Sequence, residues 1–319
     1  MMGVMTANSS ERTVLASYRF IGAFAANFFV SGTMLYLVGV FGQGDDKLGF
    51  TLTVTLYAFM ACGFFLFTYM ATKERIKPPK SQNTSVVNDF KALLSNGPWL
   101  VMIVVSVLTI MWIAIRGGAT IHYFKYAAGN EHWGSLFLVV SNVVPLVGVL
   151  FTQKVSALLG GKKKAYVIIN FASAFLIASF YFIDPKSIYL VMIHQFISSF
   201  VAAPLMPLFW SMIADTADYG AWKLGQRSTG LLFSAGTFSQ KIGWSIGPAI
   251  SLWLLSYFGF KANEEQSAET LHGLQLIMSL IPAAFALLTA GAVLFYKIDL
   301  KMEKQLEEVS SELSEGAAQ

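Results

Sequence analysis

One lysine in this chain stands where a charge is expensive. Lys241, in GTFSQKIGWSIGPAI, lies in an otherwise uncharged stretch from Ser228 to Phe260, with thirteen uncharged residues before it and nineteen after it. At the centre of a membrane span an ionised lysine costs about 2.5–3.5 kcal/mol, so it belongs against a protein interior or a watery cavity. Thr237, one turn before it, and Trp244, three residues after it, share its helix face. An ammonium, a hydroxyl and an indole on one face can hydrogen-bond to and stack on a sugar. The competing reading is a lysine paired with a carboxylate purely to hold helices together.

Two further groups invite chemistry. In WSMIADTADYGAWKLGQRSTG, Asp215 and Asp218 are three apart and neighbours on one helix face, with Lys223 and Arg227 close behind. Such a cluster at a helix end can form ion pairs that close a gate; equally, it can be a solvated end with surface pairs worth about 0–1 kcal/mol. In WIAIRGGATIHYFKYAAGN, Arg116, Tyr123 and Tyr126 recur at roughly helical spacing around Gly117-Gly118. They can line the outer part of a cavity, or the tyrosines can form an interfacial aromatic belt. His122 and His194 are isolated and read as packing residues. The turn TQKVSALLGGKKKAYV can latch against neighbouring helix ends or simply anchor orientation.

The elements that must carry these residues follow from composition. The chain has 319 residues, 55% hydrophobic and only 13% charged, where a soluble domain carries roughly a quarter charged. A mean hydropathy of +0.59 over the whole length cannot come from one anchor diluted by a soluble remainder. Uncharged stretches run over Phe20–Gly44, Leu48–Thr72, Ala92–Ile115, Trp133–Gln153, Ala165–Ile183, Ser187–Ala214, Ser228–Phe260 (broken only by Lys241) and Thr270–Tyr296. Each can cross about 30 Å of hydrocarbon at about 1.5 Å per residue. They are continuous rather than alternating, which predicts an all-α polytopic membrane protein with eight spans and not a barrel. Pro204 and Pro207 are expected to kink the sixth span.

Sixteen Lys and Arg fall on the side of the termini and five on the other, which places both termini in the cytoplasm and explains the net charge of +4 without nucleic acid. The longest polar interval, KERIKPPKSQNTSVVNDFKALLSNGP, separates two spans from six. The expected organisation is therefore residues 1–72 as the last two helices of one bundle, 73–97 as a cytoplasmic linker, 98–296 as a six-helix bundle and 297–319 as a cytoplasmic tail. The single cysteine, Cys62, and four scattered histidines offer neither a disulfide framework nor a metal cage. No HExxH, G-x-S-x-G or phosphate-loop pattern is present, so an enzyme is not expected and no cofactor is called for.

Taken together, SSERTVLASYRF (Ser9 to Phe20), RGGATIHYFKY (Arg116 to Tyr126), ADTADYGAWKLGQRSTGLLFSAGTFSQKIGWSIGPAI (Ala214 to Ile250) and the glycine-lysine turn resemble the glycoside-pentoside-hexuronide:cation symporters, sugar transporters of the major facilitator superfamily related to melibiose permease. The resemblance covers nearly the whole chain and is most specific from Ala214 to Ile250. It implies a twelve-helix fold in which two six-helix bundles rock about a central sugar site, working as a monomer in the inner membrane of a bacterium. It implies that Arg19 belongs to the sugar site, that Lys241 and Thr237 line it from the other bundle, and that Asp215, Asp218 and Arg227 form a cytoplasmic gate with Arg12 as a partner.

The departure from the family pattern concerns the ion. The family's cation-coordinating carboxylates lie on its second and fourth helices, and the segment resembling Ser9 to Phe20 follows the fourth. Asp45 and Asp46 lie in an outer loop at the wrong depth to replace them. The expectation is an N-terminally truncated chain with eight of twelve helices, its Na+ or H+ site being elsewhere in the full-length family. A sugar:cation symporter is the first reading, and a non-transporting remnant or assembly partner the second.

Overall fold

The computed structural model describes residues 6, 8–72, 91, 93–130, 132–224 and 229–316, and every regular element among them is helical. Helix α1 (Ser9–Gly42) starts on Asn8, whose side-chain oxygen accepts the Glu11 amide at 2.9 Å, and ends on Gln43 in the left-handed region. It begins well before Phe20, so Arg12 and Arg19 lie on its first turns rather than ahead of a span. Helix α2 (Asp46–Ala71) is capped by Asp45, which accepts the Leu48 amide at 3.1 Å. Helix α3 (Gly97–His122) takes Pro98 in its first turn, where no amide is needed, and runs on into a π-helical turn, Tyr123–Ala127. Most of the expected linker, 73–90, lies outside the described residues.

Helix α4 (His132–Gly148) passes through a 3₁₀ turn, Val149–Phe151, into the short α5 (Thr152–Leu158). Helix α6 (Lys162–Ser179) follows two glycines. The expected sixth span is divided rather than kinked: α7 (Ile188–Ala202) stops before Pro204, and α8 (Leu205–Leu224) begins just beyond it, with Pro207 in its first turn. Helix α9 spans Thr229–Tyr257. The last expected span is broken too, into α10 (Ala268–Met278) and α11 (Leu280–Leu294), because Pro282 has no N–H to give the Met278 carbonyl four residues back. Helix α12 is Leu300–Gly316.

Among the described residues, seven helical stretches are long and apolar enough to cross a membrane: Ser10–Met34, Asp46–Ala71, Gly97–Ala127, His132–Leu158, Lys162–Phe182, Ile188–Lys223 and Ala268–Leu294. Eight were expected. The difference is α9, long enough at 29 residues but diluted by Lys241, Gln240 and a run of serines, threonines and glycines.

That dilution has a packing reason. Ser239, Gly243, Gly247 and Ser251 recur every fourth residue of α9, and all are buried where α9 lies along α3. A Cβ at Gly247 would sit 2.5 Å from Ala114 Cβ and 3.2 Å from the Ile115 amide, and one at Gly243 would sit 2.6 Å from Ile110 Cβ. Backbone on one side and a methyl on the other leave no side chain to swing away. Gly247→Ala is expected to cost about 1–3 kcal/mol, read as a lowered Tm of the purified protein. Gly63→Ala, in the exposed interior of α2 with nothing within 4 Å, is expected to be neutral or slightly stabilising.

The buried side chains form two clusters. One, at the basic end that holds the start of α1, is built on Met102, Tyr166, Phe209, Trp210, Ile213 and Tyr296. The other, at the opposite end, is built on Ile115, Tyr123, Phe124, Phe137, Phe180 and Leu274. Residues 297–316 do not hang free as a tail: Ile298 and Leu306 are buried in the first cluster, and α12 contacts α8 and α1. Helix α2, by contrast, buries only Gly49 and Thr53 and presents Phe59, Phe64, Phe65 and Phe67 outward.

Candidate functional site

At the basic end, four charged side chains from three helices meet out of water. Asp215 and Asp218 face inward from α8, Arg12 comes from α1, and Lys162 is the first residue of α6. None is more than 5% exposed. Arg12 pairs with Asp218 and lies 3.5 Å from Asp215, and Lys162 pairs with Asp215. Two positive and two negative groups thus neutralise one another, which is the condition for burying any of them.

The local sequence explains how Lys162 arrives there. Gly160 and Gly161 both adopt positive φ, 81° and 107°, and turn the chain from α5 directly into α6. A lysine on a helix's first residue opposes the helix dipole, so the nearby carboxylate offsets an otherwise poor position. Neutral bonds reinforce the same junction. The Thr13 and Ser211 hydroxyls are 3.0 Å apart between α1 and α8, and Asn96 donates its side-chain amide to the Thr216 carbonyl at 2.8 Å.

Two expected members of this group stand elsewhere. Lys223 is exposed and donates to the Tyr219 hydroxyl one turn earlier at 2.9 Å, instead of joining Asp215 and Asp218. Arg227 lies outside the described residues. Lys162, not singled out from its run of three lysines, is the residue that reasoning from sequence missed. Its signal was the glycine pair that fixes which of the three begins the helix.

Deeper in, Arg19 lies over the Trp210 ring with its guanidinium carbon 4.6 Å from the centroid, and Trp210 stacks in turn on Phe233, 8° from parallel. Phe233 is on α9, and its carbonyl accepts the Thr237 hydroxyl at 3.0 Å. One turn further on the same exposed side come Lys241 and then Trp244, which is 53% exposed. The structure therefore joins Arg19 of α1, through two stacked rings, to the helix face that carries Thr237, Lys241 and Trp244. Trp210 and Phe233 were not expected here. Phe233, Thr237 and Lys241 are each four apart, which was the available sequence signal.

Arg116 and Tyr123 do not reach that face. On α3, Arg116 is two residues from Ala114, the contact of Gly247, and so points away from the α3–α9 seam. It is 6% exposed, lies 5.3 Å and 5.0 Å from the ring centroids of Phe137 and Phe180, and donates Nε–H to the Met278 carbonyl at 3.1 Å. This is the carbonyl that Pro282 leaves without its helical donor, so Arg116 repairs the α10–α11 break. Tyr123 is fully buried against Phe124 and Phe180. Tyr126 is half-buried at the opposite end, where its hydroxyl accepts the Asn263 amide at 2.9 Å and holds the α9–α10 loop.

A packing role for Arg116 has a measurable consequence. Arg116→Met keeps an unbranched chain between the two rings and removes a buried charge but leaves the Met278 carbonyl without its donor, and its expected loss of unfolding stability is about 1–2 kcal/mol. Arg116→Ala leaves a cavity and an unpaired carbonyl, with an expected loss of about 2–5 kcal/mol in thermal or denaturant melts.

A polytopic helical membrane protein with a buried ion cluster at one end and a polar, aromatic face along its middle is the architecture of a transporter. The chain belongs to the MFS/sugar transport protein family, whose profile matches residues 1–300. It is 30% identical to YagG of Escherichia coli (strain K12), named as a glycoside/cation symporter, over 98% of this chain and 67% of that protein. It is 28% identical to the isoprimeverose transporter of Lactiplantibacillus pentosus over 96% of this chain and 64% of that one. It is 27% identical to the inner membrane symporter YicJ of Escherichia coli (strain K12), over 90% and 62%. The chain thus spans about two thirds of the length of these curated relatives.

Proposed function

We propose that this chain acts in glycoside:cation symport by alternating access. Arg19, Thr237, Lys241 and Trp244 line the sugar site, and Arg12, Asp215, Asp218 and Lys162 form a gate at the cytoplasmic side, where both termini lie. Residues 98–296 act as one rocking bundle, with α1 and α2 belonging to the other. A gradient of a small cation, sodium or protons, supplies the driving force; the relatives' names, glycoside/cation symporter and inner membrane symporter, support a coupled cation without naming it.

One observation carries this reading: the stack from Arg19 through Trp210 to Phe233 places a cation from α1 beside the α9 face that holds a second cation, a hydroxyl and an indole. Sugars offer hydroxyls for charge-assisted bonds and an apolar ring face for an indole, so the residue types fit the ligand class. An ion cluster at one end of such a face suits a barrier that opens by separating charges. Because α8 holds both aspartates while α1, of the other bundle, holds Arg12, rocking of the bundles breaks the Arg12 contacts, whereas Lys162 stays with Asp215 inside the 98–296 bundle.

The test is uptake of a panel of radiolabelled glycosides into cells producing the protein from its whole gene, under imposed sodium and proton gradients. Accumulation of at least one glycoside above its equilibrium level, abolished when the gradient collapses, is the expected result. Folded protein in the membrane that accumulates none of them under either gradient overturns it and leaves the non-transporting alternative.

A further inference from the structure

Beside the ion cluster lies a cavity of about 300 Å3, between the start of α1, α5, the first turn of α6 and α12; Ser10, Thr13, Gln153, Ser156, Lys162 and Glu303 are among its walls. Gln153 donates to the Ser10 hydroxyl across it at 2.8 Å. Glu303, in the first turn of α12, is 7% exposed, and its Oε1 has no hydrogen-bond partner among the described residues. Apolar contacts hold it there: Ile298 and Leu306 on either side are buried, and Tyr296 donates its hydroxyl to the Met212 carbonyl at 3.0 Å. A carboxylate is thus carried into the interior by the packing of its own helix, with one oxygen unsatisfied.

The charges around it decide its protonation. Lys162 of α6 and Asp215 of α8 face it from the neighbouring helices, while Asp299, Glu307 and the cavity-lining Lys304 share its own segment; Arg12 of α1 faces Glu307, and the Tyr296 phenol lies close by. Glu303 itself is only 7% exposed, so its ionised form has little water to solvate it. Burial accordingly pushes its carboxyl up from the ordinary 4.5 to about 7; Lys162 draws it down, and Asp215, Asp299 and Glu307 push it further up.

We propose that this cavity is a proton-binding site: Glu303 takes a proton from water as α12 docks and returns it as α12 leaves, so that pH sets how firmly the tail helix is held against the gate. The inference rests on the gate reading only for what the docked helix acts upon. The direction follows from linkage. A carboxyl whose value is higher docked than free stabilises docking fully below about 4.5, and that stabilisation is lost as pH rises to about 7. Across that window the docked-to-undocked ratio falls, by at most about tenfold per pH unit for the one proton involved, and is flat above it.

Hydrogen–deuterium exchange of the full chain in lipid nanodiscs, from pH 4 to 8.5 and corrected for the intrinsic pH dependence of exchange, reads this directly. Protection of the amides of 300–308 is expected to fall across the window and then level off. Glu303→Gln, uncharged and of the same shape, is expected to keep the acid-limit protection throughout. A flat profile in the unaltered chain overturns the proposal, as does an undiminished slope in Glu303→Gln. So does a Glu303→Gln tail that exchanges freely at pH 4.5 while α8 stays protected. Failure of the gate reading would instead appear as unaltered glycoside uptake in Asp215→Asn, and would leave the exchange profile as it is.

Discussion

Asp215→Ala is expected to destabilise the protein by about 3–5 kcal/mol, among the largest losses any single substitution at the basic end can produce. Asp215 lies between two cations, paired with Lys162 and 3.5 Å from Arg12, and all three are almost fully buried. Removing its carboxylate takes a buried anion from beside both cations. The cost is that of uncompensated burial, and it greatly exceeds the 0–1 kcal/mol of an exposed pair. Asp218→Ala is expected to cost less, since Arg12 retains Asp215 nearby. The informative variant is the double one. Asp215→Leu with Lys162→Met removes one charge of each sign and leaves Arg12 with Asp218, so the remaining cluster is balanced. Most of the single-variant loss is therefore expected to return, with a coupling energy of at least about 2 kcal/mol between the two positions in thermal melts. Simple additivity would mean that the pair does not hold these helices together. Added salt is expected to change the single-variant losses little, because buried charges are poorly screened. In transport, both variants should favour the state open at this end, since both lose the Asp215 contact to Arg12, which crosses from one bundle to the other.

The sequence made the helices legible because uncharged length is a local property. It placed the breaks less well. Pro204 and Pro282 each interrupt a stretch that reads as continuous, and what a freed carbonyl does next depends on a neighbour. Met278 finds Arg116, 162 residues away in the chain, and nothing in WIAIRGG announces that pairing. The same residue shows why helical spacing alone did not tell that Arg116 and Tyr123 lie apart from the face of Thr237 and Lys241. Arg116 lies on α3 and Tyr123 and Tyr126 on the π-helical turn that continues it, and which way they face is fixed by where α9 packs, through Gly243 and Gly247 on Ile110 and Ala114. The ion cluster was half legible: two aspartates three apart name their helix face, whereas their partners come from α1 and from a particular lysine among three. The segment from 297 was read only as a tail, and its packing was not read at all, although Ile298 and Leu306 are apolar at positions that a packed amphipathic helix would choose.

Lys241 provides the sharpest separation between binding and scaffold. It is exposed on α9, opposite the small-residue stripe that packs on α3, so the described fold gains little from its side chain. Lys241→Ala is accordingly expected to leave the melting temperature within a degree or two, alanine being at least as good a helix former as lysine. If its ammonium donates to a sugar hydroxyl, removal forfeits a charged hydrogen bond worth about 1.5–3 kcal/mol, which is roughly a 10- to 150-fold fall in the uptake rate at limiting sugar. Lys241→Arg should recover part of that loss, because the charge remains while the donor geometry differs. Thr237→Ala, whose hydroxyl bonds the Phe233 carbonyl, should lose less than Lys241→Ala. A lysine that merely held helices together would give the opposite pattern, a lowered melting temperature with transport per folded molecule preserved. Arg116→Ala is expected to behave in that second way. Measuring melting temperature and initial uptake rate on both variants therefore sets a binding cation against a structural one within the same bundle. Equal behaviour of the two would overturn the assignment of Lys241 to the sugar site.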